Sequence, residues 1–158
     1  MSSSTSDIFD KFLVREFRKG DFQNVAGVWA KTGMDSSLRG DNEGIILDCI
    51  RLGGRFLILE ERSTGKVCGT SWMTFDGRRI LLHHFGILPS FQGRKLAHLL
   101  LDESLKFVKE KGYQVKLEVH NTNTKAIALY KKHGFDYLGD YDVYIIRDLS
   151  QIIEKDKR

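Results

Sequence analysis

Chemistry-bearing residues cluster in three places along the chain. The first is Gln92-Gly93-Arg94-Lys95, between an apolar run that ends at Pro89 and an apolar helical stripe that begins at Ala97. A strand that turns sharply into a helix presents unpaired backbone N–H groups at the positive end of the helix dipole. Gly93 lets a ligand approach the backbone, and Arg94 and Lys95 add charge. The turn therefore reads either as a phosphate cradle or as an ordinary connection carrying a solvated basic pair. Its spacing fits neither a Gly-Lys-Ser/Thr closure nor G-x-G-x-x-G. The second place is His83-His84, inside the apolar run. Adjacent side chains of a regular strand point to opposite faces, so one imidazole faces a cleft, and parity with Gly86 favours His84. A neutral imidazole is a suitable base near neutral pH, and a core hydrogen bond is its other common fate. The third is Lys116 to Tyr130. There Glu118 points away from Leu117 and Val119, either free to act or opposed by Lys116. Asn123 and Tyr130, seven residues apart, share one helix face. Asn123 also suits a helix cap and Tyr130 a packed aromatic.

The elements that must position these groups follow from hydrophobic periodicity. Strands are predicted at 12–17, 55–61, 66–75, 79–88, 114–120 and 141–149. Helices are predicted from Asp21, as N-cap, to Lys31, then over 43–52, from Ala97 to a stop at Gly112, and over 124–133. Residues 32–42 are a polar loop, and Asp76-Gly77 is a hairpin signal. Hairpins at the front and strand–helix–strand crossovers behind imply an α/β (α+β) fold: a mixed central sheet with helices on both faces.

The chain has 158 residues, enough for one domain with a real core. The reading is a flexible tail over 1–9, one domain over 10–150 and a charged tail over 151–158. A formal charge of +4 with no long Lys/Arg block argues against nucleic-acid binding. No apolar run approaches the roughly 20 residues of a membrane span, and Ser2 stands where myristoylation needs glycine. Cys49 and Cys68 have no metal spacing and read as buried small hydrophobes, which fits a reduced cytoplasmic location. The five histidines likewise lack close metal spacing, so no metal is expected.

Taken together, two stretches resemble the GNAT superfamily of acetyl-CoA-dependent N-acetyltransferases. The family's Gln/Arg-x-x-Gly-x-Gly/Ala signature is met by Gln92, Gly93 and Ala97, with Lys95 where the central glycine is usual. Its Asn-x-x-Ala-x-x-Leu-Tyr-x-x-x-Gly-Phe signature is met by Asn123, Ala126, Leu129, Tyr130, Gly134 and Phe135. The resemblance spans about Phe12 to Leu149. It implies a mostly antiparallel mixed sheet and acetyl transfer to a small amine or a protein N-terminus without a covalent enzyme intermediate. It implies a pyrophosphate grip by Gln92, Gly93, Arg94, Lys95, Leu96 and Ala97. The backbone of Phe85, Gly86 and Ile87 would meet the pantetheine arm, and Asn123, Ala126 and Tyr130 would lie along acetyl-CoA. Tyr130 would protonate the departing thiolate and Glu118 would be the base, with His84 its rival. The acceptor pocket would draw on Trp29, Met34, Leu38, Arg39, Trp72 and Tyr141 or Tyr144. A second copy of the chain is a candidate partner. The rival function class is a non-catalytic acyl-CoA sensor or interaction module on the same fold.

Overall fold

In the computed structural model, which describes residues 5–35 and 39–153, five strands form one sheet in the order β1-β2-β3-β4-β5. The strands are β1 (Phe12–Glu16), β2 (Arg55–Glu61), β3 (Val67–Phe75), β4 (Ile80–Ile87) and β5 (Val115–Leu117). The first four pair antiparallel. β4 and β5 run parallel, because α4 carries the chain between them. The helices are α1 (Thr5–Lys11), α2 (Phe22–Thr32), α3 (Glu43–Arg51), α4 (Leu96–Lys111) and α5 (Thr124–Lys132). The mixed, mostly antiparallel sheet agrees with the expected fold class.

Two neighbouring residues of β3 show how the layers are arranged. Trp72 stacks on Trp29 of α2, with centroids 6.1 Å apart. The next residue back, Ser71, meets Ser104 of α4 at 2.7 Å. Successive strand side chains point to opposite faces, so α2 and α4 cover opposite sides of the sheet. Ser104 gives its own hydrogen to Leu100 O, so Ser71 donates to Ser104. This pair satisfies two hydroxyls that the core fully encloses. Apart from Thr70, the rest of that core is apolar: Phe56, Ile58, Leu59 and Met73 from the sheet, Val25 and Ile46 from α2 and α3, and Leu100 and Leu101 from α4.

Helix ends follow local chemistry. Asn42 caps α3 by accepting from Ile45 N at 3.0 Å. Gly33 and Gly112 close α2 and α4 in the left-handed conformation. Asp21 stands before α2 as expected but does not cap it. Its carboxylate instead grips the Arg15 guanidinium at 2.8 and 2.9 Å. That bidentate ion pair is the stronger claim on it and holds its pKa below the usual carboxylate range. The β3–β4 hairpin turns over Asp76 to Arg79, with Asp76 Oδ1 accepting from the backbone N–H of Arg78 and Arg79.

Three expectations are corrected. Residues read as tail are helical from Thr5. The strand expected over 114–120 pairs only at Val115–Leu117, so Glu118 lies just past its end. The strand expected over 141–149 is absent: residues 141–148 are irregular, with Tyr141 82% and Tyr144 89% exposed. A Tyr/Val/Ile-rich run of this kind needs an edge to pair with, and β5 supplies only three residues. Leu38 lies outside the described residues.

Candidate active site

The site is built where β4 and β5 part. Their ladder runs Ile80↔Val115, Leu81↔Lys116, Leu82↔Leu117 and then stops. Beyond Leu82 the β4 backbone, including Phe85, Gly86 and Ile87, has no neighbouring strand on that side among the described residues. On the opposite side a bulge interrupts the β3–β4 ladder. Thr70 pairs with Gly86 and Trp72 with His83, so Ser71 alone faces two residues, His84 and Phe85. His84 takes φ +44°, a left-handed conformation that a non-glycine residue holds only when its surroundings fix it. They do so here: Thr70 Oγ1 donates to His84 O at 2.7 Å and accepts from Trp29 Nε1 at 3.0 Å.

This bulge overturns the alternation expected for the two histidines. His83 pairs opposite Trp72, and His84 packs on Trp29 with centroids 4.3 Å apart, so both lie on the α2 face. Thr74 Oγ1 and His83 Nε2 are 2.9 Å apart. His84 is 8% exposed at its side chain, with Arg39 Nη1 3.3 Å and Asp41 Oδ2 3.4 Å from its Nε2. Burial, then the Arg39 charge, push the His84 pKa down to about 4. Burial lowers His83 too, against the pull of Glu118 and Asp41. Of the expected acceptor residues, Trp29, Trp72 and Arg39 gather around His84, and Met34 sits over Gly86. A side chain at position 86 would bring its Cβ within 2.7 Å of Met34 Cε, so glycine is what permits that cover. Tyr141 and Tyr144, exposed on an irregular segment, are not held in this cluster.

The histidine environment makes stability pH-dependent. A His at pKa 6.5 when unfolded and about 4 when folded binds its proton more readily in the unfolded chain. Its contribution is complete above pH 6.5 and declines as pH falls toward 4, by up to roughly 3 kcal/mol at about 1.4 kcal/mol per pKa unit. Asp41, raised by burial, works weakly in the opposite sense. Melting temperatures from pH 7.5 to 4 should drop over this window, and the slope should flatten in His84→Gln. An unchanged slope in that variant would show that His84 titrates normally.

The turn before α4 keeps the shape the sequence suggested. Gly93 has φ +79°, and Lys95 itself adopts φ +61°, the conformation a glycine would take at its position. α4 has no side-chain cap and no acid in its first turn, so its leading N–H groups stay available to an anion. Arg94 and Lys95 are exposed beside them. Gln92 points elsewhere: its Nε2 donates to Ile87 O at 3.0 Å, bracing the end of β4. Leu96 is buried and Ala97 partly so, anchoring the helix start to the core.

Across the gap, Asn123 caps α5 by accepting from Ala126 N at 3.2 Å, so the capping reading of Asn123 holds. Tyr130 is 9% exposed, its ring edge-on to Phe85 of β4 at 6.0 Å and to Phe135 at 5.7 Å. Burial pushes its phenol up to about 12. A chain of rings ties α4 to α5: His98 Nδ1 and His133 Nε2 are 2.9 Å apart, and His133 Nδ1 lies 3.3 Å from Asp102. Glu118 is exposed. Asp41 and Thr74 complete the cluster without having been singled out, beside His83, the histidine that parity had not favoured. Neither Asp41 nor Thr74 carried a signal in the sequence that sets it apart from its neighbours. Cys68 is buried, its thiol pushed up to about 12, which rules it out as a nucleophile at neutral pH. Among the described residues, no group of His, Cys, Asp or Glu could hold a metal ion. No described helix is long and apolar enough to cross a membrane.

Several solved structures share this fold. An acetyltransferase from Streptococcus agalactiae superposes with a TM-score of 0.72 at 18% identity, over 87% of this chain and 93% of its own. The ribosomal-protein-S18-alanine N-acetyltransferase of Escherichia coli gives 0.67 at 18%, over 79% and 77%. AAC(6')-Iy, solved with the bisubstrate analogue CoA-S-monomethyl-acetylneamine, gives 0.69 at 17%, over 87% and 99%. At these identities the likeness shows the fold alone. A sequence model described as the acetyltransferase (GNAT) family matches residues 15–135, three-quarters of the chain and all three chemical clusters, and the chain therefore belongs to the GNAT family of acetyltransferases.

Proposed function

We propose that the chain moves the acetyl group of acetyl-CoA directly to a primary amine, a small molecule or a protein N-terminus. The observation that carries this reading is the open stretch of β4 beyond Leu82, flanked by the uncapped start of α4 and by Tyr130. The exposed N–H groups of α4, with Arg94 and Lys95, suit the pyrophosphate. The free β4 edge at Phe85 to Ile87 suits the amide-bearing pantetheine arm, which would pair with it as a strand does. The amide side of Asn123 is free to join that pairing while its carbonyl caps α5.

Transfer then needs no protein nucleophile. The amine lone pair attacks the thioester carbonyl carbon, the C–N bond forms and the C–S bond breaks. A β4 backbone N–H polarises the carbonyl oxygen. The proton leaving the amine goes to Glu118, and the thiolate takes one from Tyr130. Holding both substrates in line along one strand edge supplies much of the rate.

The test joins a thermal melt to a thiol assay. Acetyl-CoA at a hundredfold excess over its dissociation constant should add about 2.7 kcal/mol of stability. Free CoA thiol should then appear with amines or N-terminal peptides. No melting shift with acetyl-CoA, or a larger shift with NAD, would remove the cofactor assignment. A shift without thiol release from any acceptor would leave a binding module.

A further inference from the structure

The loop between α2 and α3 brings two opposite charges to a single atom. Arg39 Nη1 and Asp41 Oδ2 both approach His84 Nε2, at 3.3 and 3.4 Å. A guanidinium only donates, so Nε2 accepts from Arg39 and the imidazole carries its hydrogen on Nδ1. In that form His84 has no hydrogen to give Asp41, and no other donor reaches the Asp41 carboxylate among the described residues. Asp41 is thus a partly buried carboxylate, 21% exposed, whose acceptor capacity no described donor uses. His84 Nδ1 and Trp72 Nε1, in rings 5.4 Å apart, are also buried without partners among the described residues. Buried polar atoms left unpaired are costly, and are tolerated where a ligand or solvent completes them. Gly40, at φ +70°, turns the chain between Arg39 and Asp41 and lets both reach the same imidazole.

A bare carboxylate and a guanidinium two residues apart, above a wall of Trp29, Trp72 and His84, fit a ligand that carries a cation and an anion on neighbouring atoms. We propose that the acceptor is a free α-amino acid, its ammonium received by Asp41 and its carboxylate by Arg39. This rests on the acetyl-transfer reading above and narrows it. The planar fork of Arg39 suits a carboxylate, which it can hold with two parallel hydrogen bonds. A peptide N-terminus offers a neutral amide at that point and leaves Arg39 without an anion. A plain diamine sets a second cation against it. Receiving the ammonium on Asp41 places the amine near His83, on which the charges of both Asp41 and Glu118 act, Glu118 being the group to which its proton goes.

The experiment measures CoA thiol release with free α-amino acids, their amides, and peptides beginning with the same residues. A charged hydrogen bond pair of this kind should give the free acid a kcat/KM at least about tenfold above its amide, mostly in KM. Arg39→Gln should narrow that ratio to within about threefold and Arg39→Lys should restore part of it, since the lysine keeps the charge but not the fork. Asp41→Asn should raise KM for acids and amides together. Amides or peptides used as well as free acids, or no turnover with any amino acid, would overturn the proposal. So would an Arg39→Gln protein that melts earlier and slows every acceptor alike, because Arg39 would then only latch the loop to His84. Thiol release with amines that are not amino acids separates these failures from failure of acetyl transfer itself: some other amine or peptide still releases thiol in the first case, and no acceptor of any kind does in the second.

Discussion

Tyr130→Phe should lower turnover by about 10²–10⁴-fold while leaving acetyl-CoA affinity nearly unchanged. The phenol sits at 9% exposure with its pKa pushed up to about 12 by burial, so at neutral pH it always holds the proton that a leaving thiolate requires. Its ring is placed by Phe85 and Phe135, and a phenylalanine keeps both edge-on contacts. The substitution therefore removes a hydroxyl and little else, and the melting temperature should stay within a few degrees. The pH dependence gives a second reading. A group at about 12 does not titrate in the working range, so the variant should lose rate at every pH rather than shift a limb. Single-turnover measurements must accompany the steady state, because product release can hide a slower chemical step. An unchanged single-turnover rate would make Tyr130 a packing residue between β4 and α5.

The sheet and its helices were legible in the sequence wherever one physical signal acted alone. The strand at Arg55–Glu61 and the helix at Leu96–Lys111 follow from apolar periodicity, and Gly112 ends the latter as its freedom at positive φ requires. Legibility failed where a distant partner decides the outcome. Alternation assigned His83 and His84 to opposite faces, but a bulge facing Ser71 puts both on one, and a bulge is a property of two paired strands. Residues 141–149 are rich in Tyr, Val and Ile as a strand should be, yet such a run makes a strand only if an edge is present to pair with. Asp21 had the residue type and position of a cap, and Arg15 outbid the helix for it. Asp41 is the clearest case for the site. Nothing in a polar loop marks one carboxylate among several, and its meaning comes from a histidine more than forty residues away. Lys95 shows the reverse: the departure from the glycine expected there changes the chemistry of the turn but not its backbone, because the lysine accepts the same left-handed conformation.

Glu118→Gln should depress turnover by about 10²-fold or more and remove the acidic limb of the pH–rate profile, whereas His84→Asn should leave that limb in place. Glu118 is exposed. Its case rests on place: it follows Leu117, where β5 leaves β4, and its charge acts on His83, the next residue along the facing strand from Leu82. His84 is disqualified by its own environment. At a pKa of about 4 it is a weak base for an ammonium, and Arg39 already occupies its Nε2. His83 is the better imidazole, since Glu118 and Asp41 both favour its protonated form against the cost of burial. His83→Gln should therefore fall between the other two variants, with the limb displaced rather than lost. Acceptor KM must be followed in parallel, because a carboxylate that only attracts the ammonium would raise KM and leave the limb intact. A dominant loss in His83→Gln with a mild Glu118→Gln would move the base to the imidazole and leave Glu118 as the charge that tunes it.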